Sequence, residues 1–294
     1  MNYKKWLQQN TTSLLGKTVA ITGSTGGLGK EICFWLASLG ANLILLDRNK
    51  QKQENLKFQI YEKFSNIHIN NFIVDNENFE SVKKLCQNLK QVDIDILILN
   101  AGAYKIPRKI TDTGYDNLFQ INFLTPYYIL KELLPILNIN QNTKIVLVGS
   151  IAHKKNKFNP NDIDYSNCKK SMRVYGNAKR FIMFSAINLI NQFKNVNLSI
   201  VHPGITLTNI ISNFPKPLLF FVKPLMKIVF NSPKKASLNI IKGVFDNILD
   251  GNWIGPKYLD IWGLPKNKRL KTYNKQEAKM IYNCAEEIYS NLEN

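Results

Sequence analysis

Short apolar segments alternate with longer amphipathic ones through the first two-thirds of the chain. The short segments have the length and composition of buried strands, and the longer ones have the apolar spacing of helices. The predicted strands are 18–22, 42–46, 69–74, 94–99, 144–149 and 197–201. The predicted helices between them are 27–39, 50–64, 77–90, 115–137 and 171–193. Strands that recur with helical crossovers predict an α/β fold, a doubly wound parallel sheet with helices on both faces.

A glycine-rich turn joins the first predicted strand to the first predicted helix. The turn contains Gly23, Ser24, Gly27, Leu28 and Gly29. Its glycines let the backbone turn tightly and approach a pyrophosphate, which binds the free N–H groups at the start of the helix. The second strand ends in Asp47-Arg48, at the spacing of an acid that binds ribose hydroxyls. The ordered combination indicates a dinucleotide-binding site.

Tyr175 and Lys179 lie four residues apart, so a helix places both side chains on one face, one turn apart. An ammonium beside a phenol stabilises the phenolate and so lowers the phenol pKa. The pair could therefore donate and accept protons. The same spacing also occurs on ordinary solvated helix faces, so its interpretation depends on the nucleotide site that precedes it.

Length and composition favour a single domain over residues 1–294. The chain has 294 residues, 45% of them hydrophobic, and no linker, repeat or low-complexity tract divides it. Its four cysteines are scattered without the spacing of a metal site, which indicates free thiols and no metal. The N-terminus lacks the apolar run of a secretory signal, and no apolar stretch is long enough to cross a membrane. We therefore expect a cytoplasmic location.

The net charge of +18 is unusual, and half of it lies in one region. Between Lys216 and Lys275 there are twelve Lys and Arg but only three Asp. The surplus could attract an anionic partner such as nucleic acid, acidic lipid or a phosphorylated ligand, or it could belong to a solvated surface. No basic-aromatic motif accompanies it, so we expect no nucleic-acid partner.

With these residues in place, the chain resembles the short-chain dehydrogenase/reductase family, which has a Rossmann fold, over nearly its whole length. Thr22 and the glycine turn match the family's cofactor loop, and Asp75 matches the acid that contacts adenine. The segment Asn100-Ala101-Gly102 matches the Asn-Ala-Gly motif, with Leu99 where a second Asn is common. The residues that match the catalytic tetrad are Asn122, Ser150, Tyr175 and Lys179. The residues that match the loop over the nicotinamide are Pro203, Gly204 and Thr208.

Four features resemble the retinol-dehydrogenase-like members of that family. Ser150 and Tyr175 are 25 residues apart, which is a longer gap than the family's usual dozen, and an Ala-His pair follows the serine. Ser232 begins a segment similar to the helix after the substrate lid. Gly255 begins a segment similar to the subgroup's late Gly-Lys-Tyr.

The resemblance implies hydride transfer between a nicotinamide and an alcohol or carbonyl. Tyr175 would carry the proton, and Lys179 would lower its pKa and hold the nicotinamide ribose. Ser150 would stabilise charge on the substrate oxygen. Asn122 would bend its helix and hold a water that relays protons from Lys179. A catalytically silent NAD(P)-binding regulatory protein is the alternative, and the intact tetrad argues against it.

Cofactor choice stays open between NAD and NADP, with a preference for NAD. Asp47 could bind both ribose hydroxyls and would repel the 2′-phosphate of NADP. Arg48 could instead stack on adenine and pair with that phosphate. Gly26 stands where many NADP-preferring members have a basic residue.

Residues 205–262 would form a lid and substrate-binding region, and the stretch 214–230 within them is both apolar and basic. It could be the lid itself, a helix resting on anionic lipid, or a packing surface. The first two alternatives predict an apolar, bulky alcohol or carbonyl substrate. The resemblance further implies a homo-oligomer formed through the long helices.

Overall fold

One sheet of eight strands runs through the residues that the computed structural model describes, which are 3–139, 142–205 and 231–293. The strands are β1 (Thr18–Thr22), β2 (Asn42–Asp47), β3 (Ile69–Ile73), β4 (Ile96–Leu99), β5 (Thr143–Val148), β6 (Val196–Val201), β7 (Asn252–Tyr258) and β8 (Trp262–Arg269). Their order in the sheet is 3-2-1-4-5-6-7-8, and all neighbours pair in parallel except β7 and β8. The chain order reverses between β1 and β4, and such a switch point is where doubly wound sheets bind ligands.

Helices cover both faces of this sheet. They are α1 (Tyr3–Asn10), α2 (Gly27–Ser38), α3 (Lys50–Tyr61), α4 (Phe79–Leu89), α5 (Asn117–Phe119), α6 (Thr125–Leu137), α7 (Ser171–Ile190), α8 (Pro233–Phe245) and α9 (Lys275–Glu293). One apolar layer packs α1, α2, α3 and α8 against the sheet, and the other packs α4, α6, α7 and α9. Val19 and Ile21 face the first layer and Ala20 faces the second, because successive strand residues point to opposite faces. The predicted fold class is confirmed.

The C-terminal third differs most from the sequence prediction. The segment that contains Trp253 and Trp262 forms the β7–β8 hairpin. The sequence gives no strand signal there because glycine and proline residues interrupt it, at Gly255, Pro256 and Pro265. Trp253 is nevertheless only 1% exposed, which places β7 in the core. The sequence also predicts a helix over 234–249, and the structure has α8 there.

The C-terminal helix α9, which the sequence reasoning did not assign, packs against the long helices α6 and α7. Lys131 forms an ion pair with Glu286 at 2.8 Å, and the hydroxyl of Tyr127 donates to the same carboxylate. Arg180 pairs with Glu277. The long helices through which we expected subunits to associate are thus partly covered by the chain's own C-terminus. Oligomer formation stays an untested prediction.

Candidate active site

The hydroxyl of Thr22 joins the end of β1 to the segment that follows β4. The Oγ1 atom of Thr22 accepts hydrogen bonds from the backbone N–H groups of Asn100 at 3.0 Å and Ala101 at 2.9 Å. In return the Asn100 amide donates to the carbonyl of Thr22 at 2.9 Å and to that of Gly23 at 3.2 Å. The Asn-Ala-Gly motif therefore lies against the glycine turn, as expected for two parts of one cofactor site.

The glycine turn brings backbone atoms too close for a side chain. Gly23 has a φ of 67°, in the left-handed region that favours glycine. A Cβ atom on Gly29 would lie 2.1 Å from the carbonyl oxygen of Gly23, so α2 begins in contact with the turn. Gly26 precedes α2 without a capping side chain, and Gly26 and Gly27 are exposed. The free N–H groups at this helix end are therefore accessible to a phosphate.

The carboxylate of Asp47 is held beside the glycine turn. Its Oδ2 atom accepts hydrogen bonds from the backbone N–H of Thr25 at 2.8 Å and from the Thr25 hydroxyl at 2.7 Å. Its Oδ1 atom accepts one from the N–H of Arg48 at 2.8 Å. These bonds orient the carboxylate before any ligand binds. A preformed acid at the end of β2 is what recognition of a ribose requires.

Asp75 follows β3 and adjoins this strand end. The N–H of Val74 donates to the carbonyl of Asp47 at 3.0 Å, so the two acids lie on neighbouring strands. The Asp75 side chain accepts a hydrogen bond from the N–H of Glu77 at 3.0 Å and is partly exposed. Asp75 therefore lies at the same edge of the sheet as the glycine turn, where we expected an adenine contact.

Asn122 lies in a π-helical turn, Gln120–Leu124, that interrupts the long helix. Its side-chain amide donates to the carbonyls of Leu118 and Ala103, both at 2.8 Å. The Leu118 carbonyl would otherwise accept an ordinary helical hydrogen bond, so the asparagine and the wide turn occur together. The structure thus contains the irregularity that the resemblance implied for this helix.

Gly102 shows that Asn122 and Lys179 face the same point. A Cβ atom built on Gly102 would lie 2.8 Å from the Oδ1 atom of Asn122 and 3.5 Å from the Nζ atom of Lys179. The Nζ atom itself donates to the carbonyl of Val148 at 3.0 Å. A glycine is needed here because any side chain would fill the space between the amide and the amine.

Ser150 and Tyr175 are brought together by close packing of α7 on the turn after β5. Ser150 follows β5, and its hydroxyl accepts a hydrogen bond from the N–H of Ala152 at 3.2 Å. A Cβ atom on Gly176 would lie 2.5 Å from the carbonyl oxygen of Ala152, so α7 contacts this turn directly. Tyr175, the residue before that glycine, then lies beside Ser150, close enough for the serine side chain to lower the pKa of the phenol.

The 25-residue gap between these two residues is folded compactly. Arg108 donates to the carboxylate of Asp116 at 2.8 Å and to the carbonyl of Ser166 at 2.9 Å. Asn177 of α7 donates to the carbonyl of Ile163 at 2.6 Å. The long loop is therefore tied both to the segment after β4 and to α7, and its length does not separate the candidate residues.

Pro203 and Gly204 follow the carboxyl end of β6. Gly204 has a φ of 86°, and a Cβ atom there would lie 2.6 Å from the carbonyl oxygen of Ile261. Only glycine fits this turn. Thr208 and the stretch 214–230 lie outside the described residues, so the predicted nicotinamide contact, lid and membrane contact are not tested.

Two buried polar atoms of the site lack a hydrogen-bond partner among the described residues. They are the hydroxyl oxygen of Ser24 and the amide oxygen of Asn122. A buried polar atom without a partner is costly, and such atoms are common where a ligand completes the hydrogen bonds. Together with the close backbone approach at Gly29 and the space beside Gly102 that no side chain fills, they fit a bound dinucleotide.

The family profile described as short chain dehydrogenase matches residues 17–217. The chain belongs to the short-chain dehydrogenase family. It is therefore an NAD(P)-dependent oxidoreductase that acts on alcohol or carbonyl groups. The comparisons give no support to the alternative of a catalytically silent regulatory protein.

Relatives of this dehydrogenase include retinol dehydrogenase 14 from Homo sapiens, 29% identical over 73% of this chain and 68% of the relative. Polyprenol dehydrogenase from Danio rerio is 25% identical over 87% of this chain and 84% of its own length. These relatives confirm the similarity to retinol-dehydrogenase-like members.

Solved structures share the fold. A protein from Mycobacterium paratuberculosis matches with a TM-score of 0.73 and 20% identity over 95% of each chain. L-sorbose reductase from Gluconobacter frateurii, complexed with NADPH and L-sorbose, matches with a TM-score of 0.61 and 17% identity over 80% of this chain and 91% of the reductase. At these identities the similarity shows the fold alone.

The electrostatics of this dehydrogenase differ in one respect from the sequence prediction. Burial raises the pKa of the Tyr175 phenol, the hydrogen bond from Ser150 lowers it, and nearby Tyr104 raises it. Burial also lowers the pKa of the Lys179 amine to about 8. Lys179 donates to Val148 instead, and its Nζ atom is 5.9 Å from the centre of the Tyr175 ring. The expected lowering of the phenol pKa by the ammonium is therefore not seen in the chain by itself.

Tyr104 is a site residue that the sequence reasoning missed. Its ring centre lies 5.3 Å from that of Tyr175, and the two rings are tilted by 45°. The available signal was its position two residues after the Asn-Ala-Gly motif, which places it at the mouth of the site.

Among the described residues, no group of acids, histidines or cysteines could hold a metal ion. No described helix is long and apolar enough to span a membrane.

Replacing Lys179 by methionine is expected to stabilise the folded protein at pH 7 by about 3 kcal/mol, because a buried ammonium whose pKa is lowered to about 8 is removed. Between pH 8 and 10.5 the unfolded chain binds more protons at Lys179 than the folded chain does. The unchanged protein therefore gains stability as pH rises through this window, and the advantage of Lys179→Met shrinks. Urea unfolding at several pH values measures the difference. The exposed substitution Lys84→Met is the control, and a Lys179→Met variant less stable at pH 7 would contradict the expectation.

Proposed function

We propose that this dehydrogenase interconverts apolar, bulky alcohols with their carbonyl compounds, with Tyr175, Ser150, Lys179 and Asn122 as its catalytic residues. The observation that carries this proposal is the convergence of the four side chains at the ends of β4 and β5. Tyr175 lies beside Ser150, and Lys179 and Asn122 face one point beside Gly102. They come from three different elements, and only the fold brings them together.

The dinucleotide would be held by the residues around the glycine turn. Free N–H groups at the start of α2 would bind its phosphates, and Asp47 would bind a ribose. The nicotinamide supplies or accepts the hydride when it is bound. Other expected contacts come from Ser24, Leu28, Arg48, Asp75, Asn100, Ala101, Gly102, Tyr175, Lys179, Pro203, Gly204 and Thr208.

Tyr175 would exchange a proton with the substrate oxygen, and Ser150 would hydrogen-bond the same oxygen. A phenol with a raised pKa is protonated at neutral pH, so Tyr175 is ready to act as an acid in carbonyl reduction. Alcohol oxidation needs the phenolate, and the Ser150 hydroxyl favours that form because it hydrogen-bonds the charged oxygen. The pair therefore serves both directions of the reaction.

Lys179 and Asn122 would replace the proton that Tyr175 gives up. The amine with a pKa of about 8 exists in both forms near neutral pH, which suits a group that takes and returns protons. The unpaired oxygen of Asn122 and the Nζ atom of Lys179 face the same space beside Gly102. This arrangement supports a relay between them.

Tyr175→Phe tests the proposed proton donor. The substitution removes one oxygen and keeps the ring, so we expect kcat to fall about 1000-fold or more while the Kd for NADH stays within about twofold. Steady-state kinetics and NADH fluorescence titration measure the two quantities. Tyr258→Phe changes a half-exposed tyrosine on β7 and is the matched control. Turnover near the unchanged level in Tyr175→Phe would remove the mechanism.

For the cofactor, we favour NAD. The carboxylate of Asp47 is oriented by three hydrogen bonds and would repel a 2′-phosphate at that position. Arg48 is exposed beside it and could pair with that phosphate only if the acid were absent.

Asp47→Ser is expected to raise the ratio of kcat/KM for NADPH over NADH about tenfold or more, because it removes the repulsion and frees Arg48. The measurement is the ratio of kcat/KM with the two cofactors at one substrate concentration. Asp93→Ser, at an exposed acid before β4, is the control. An unchanged protein that already prefers NADPH would refute the proposal for NAD.

Two observations support an apolar substrate. The similar retinol and polyprenol dehydrogenases are named for long isoprenoid alcohols. The aromatic ring of Tyr104 beside Tyr175 also offers an apolar surface next to the proposed proton donor.

A panel of 2-propanol, geraniol, farnesol and all-trans-retinol tests the substrate class. We expect kcat/KM for farnesol to exceed that for 2-propanol about 100-fold or more, because each buried methylene contributes about 0.8 kcal/mol. NADH fluorescence follows the oxidation. Equal kcat/KM values across the panel would exclude an apolar substrate site.

A further inference from the structure

A buried histidine, His153, lies three residues after Ser150 and has no part in the mechanism above. It belongs to a short 3-10 helix, Ile151–Lys155, and its side chain is 0% exposed. A polar ring in such a position has to have its hydrogen bonds satisfied inside the protein. Its two ring nitrogens form hydrogen bonds with two different parts of the chain.

The first partner is the carbonyl oxygen of Ser150. That oxygen accepts a hydrogen bond from the backbone N–H of His153 at 3.2 Å and lies 2.5 Å from the ring atom Nδ1. A carbonyl only accepts, so Nδ1 carries a hydrogen and both lone pairs of this oxygen are used. His153 therefore holds the Ser150 peptide from two sides.

The second partner is Thr272, in the loop between β8 and α9. Its hydroxyl lies 2.6 Å from the ring atom Nε2. Burial lowers the pKa of His153 to about 4, so the ring is neutral at neutral pH and Nε2 carries no hydrogen. Thr272 is then the donor, and the ring connects Ser150 to a residue 122 positions away along the chain.

Surrounding contacts hold the ring in place. Trp253 of β7 packs against it edge to face, with ring centres 5.5 Å apart at 87°. Arg180 of α7 donates to the carbonyl of His153 at 3.4 Å and forms a mostly buried ion pair with Glu277 of α9. Strand β7 thus contacts the imidazole directly, and Arg180 joins helices α7 and α9 to the backbone of the same residue.

We propose that His153 is a positioning residue that fixes the Ser150 peptide, and with it the direction of the Ser150 hydroxyl, through a link to Thr272. This inference rests on the proposed role of Ser150. The Ser150 hydroxyl is already oriented by the N–H of Ala152 within the same turn, so a shift of the Ser150 peptide moves the hydroxyl with it. His153 acts through Ser150, because both of its ring nitrogens are used within the protein.

His153→Leu and His153→Asn separate hydrogen bonding from packing. The asparagine amide nitrogen is bonded to Cγ, as Nδ1 is, so it can still donate to the Ser150 carbonyl, and leucine cannot. We expect kcat of His153→Leu to fall about 100-fold with the Kd for NADH unchanged, because a misplacement of about 1 Å has that effect. His153→Asn should recover at least about tenfold of that loss. Equal kcat values for the two variants would overturn the proposal.

Thr272→Val tests the far end of the link, with Thr143→Val as its matched control. Thr143 also uses its hydroxyl in one protein hydrogen bond, to the carbonyl of Leu137 at 2.8 Å. It lies at the start of β5, and Ser150 follows the other end of that strand. Both substitutions lose one hydroxyl and should lower stability similarly. We expect Thr272→Val to lower kcat about threefold to tenfold, and Thr143→Val to leave kcat unchanged. A lowering in both variants, or in neither, would contradict the link.

A double-mutant cycle with Ser150→Ala distinguishes failure of this inference from failure of the proposed function. With the panel alcohol that is oxidised fastest, Ser150→Ala should lower kcat, and adding His153→Leu should lower it little further. Full activity in Ser150→Ala would refute the proposed role of the serine. Additive losses would refute positioning through Ser150 and leave that role intact.

Nitrogen-15 spectra of the imidazole rings test the geometry without a substrate. The chain has three histidines, so His153→Asn identifies the signals of His153. We expect the neutral tautomer with hydrogen on Nδ1 and an unprotonated Nε2 near pH 7. Hydrogen on Nε2 would overturn the arrangement.

Discussion

The hydroxyl of Thr22 is the contact on which the rest of the site depends. It accepts two backbone hydrogen bonds from the segment after β4 and so holds that segment against the glycine turn after β1. β1 and β4 flank the point where the order of the sheet reverses, and the loops that follow them diverge. Because the Thr22 hydroxyl joins these two loops, it fixes the position of Gly102 and Asn122 relative to the dinucleotide site.

This geometry buries charged and polar groups, and their burial lowers the stability of the folded chain. Lys179 is 4% exposed, and among the described residues its Nζ atom has one acceptor, the carbonyl of Val148. The amide oxygen of Asn122 and the hydroxyl of Ser24 have no partner among the described residues. Each of these features lowers the stability of the chain by itself, and each suits a site completed by cofactor and substrate. Function therefore accounts for features that stability alone would not favour.

The C-terminal segment, from β7 to α9, packs on the core and also contacts the elements that carry the candidate site residues. Helix α9 places Glu277 against Arg180 of the helix that carries Tyr175 and Lys179, and the loop before it places Thr272 against His153. The hairpin before that loop places Trp253 between His153 and His202, whose ring stacks on the tryptophan at 5.3 Å and 10°. The turn after β5 and the turn after β6 are thereby packed on one side chain. Residues late in the chain thus hold those to which the proposed mechanism assigns a role.

The sequence by itself determined the order of strands and helices from β1 to β6, because apolar periodicity and glycine spacing are local properties that a parallel sheet requires. It did not predict helix α1. It also indicated Tyr175, Lys179, Ser150 and Asn122 as candidate catalytic residues, since they match short motifs at or near the ends of predicted elements. Only the tertiary structure decided the direction in which the pKa values of Tyr175 and Lys179 shift, because that direction depends on how the fold buries them. The contacts of Tyr104, His153 and Thr272 were likewise decided by the fold, because they join segments far apart in the chain and leave no periodic signal in it.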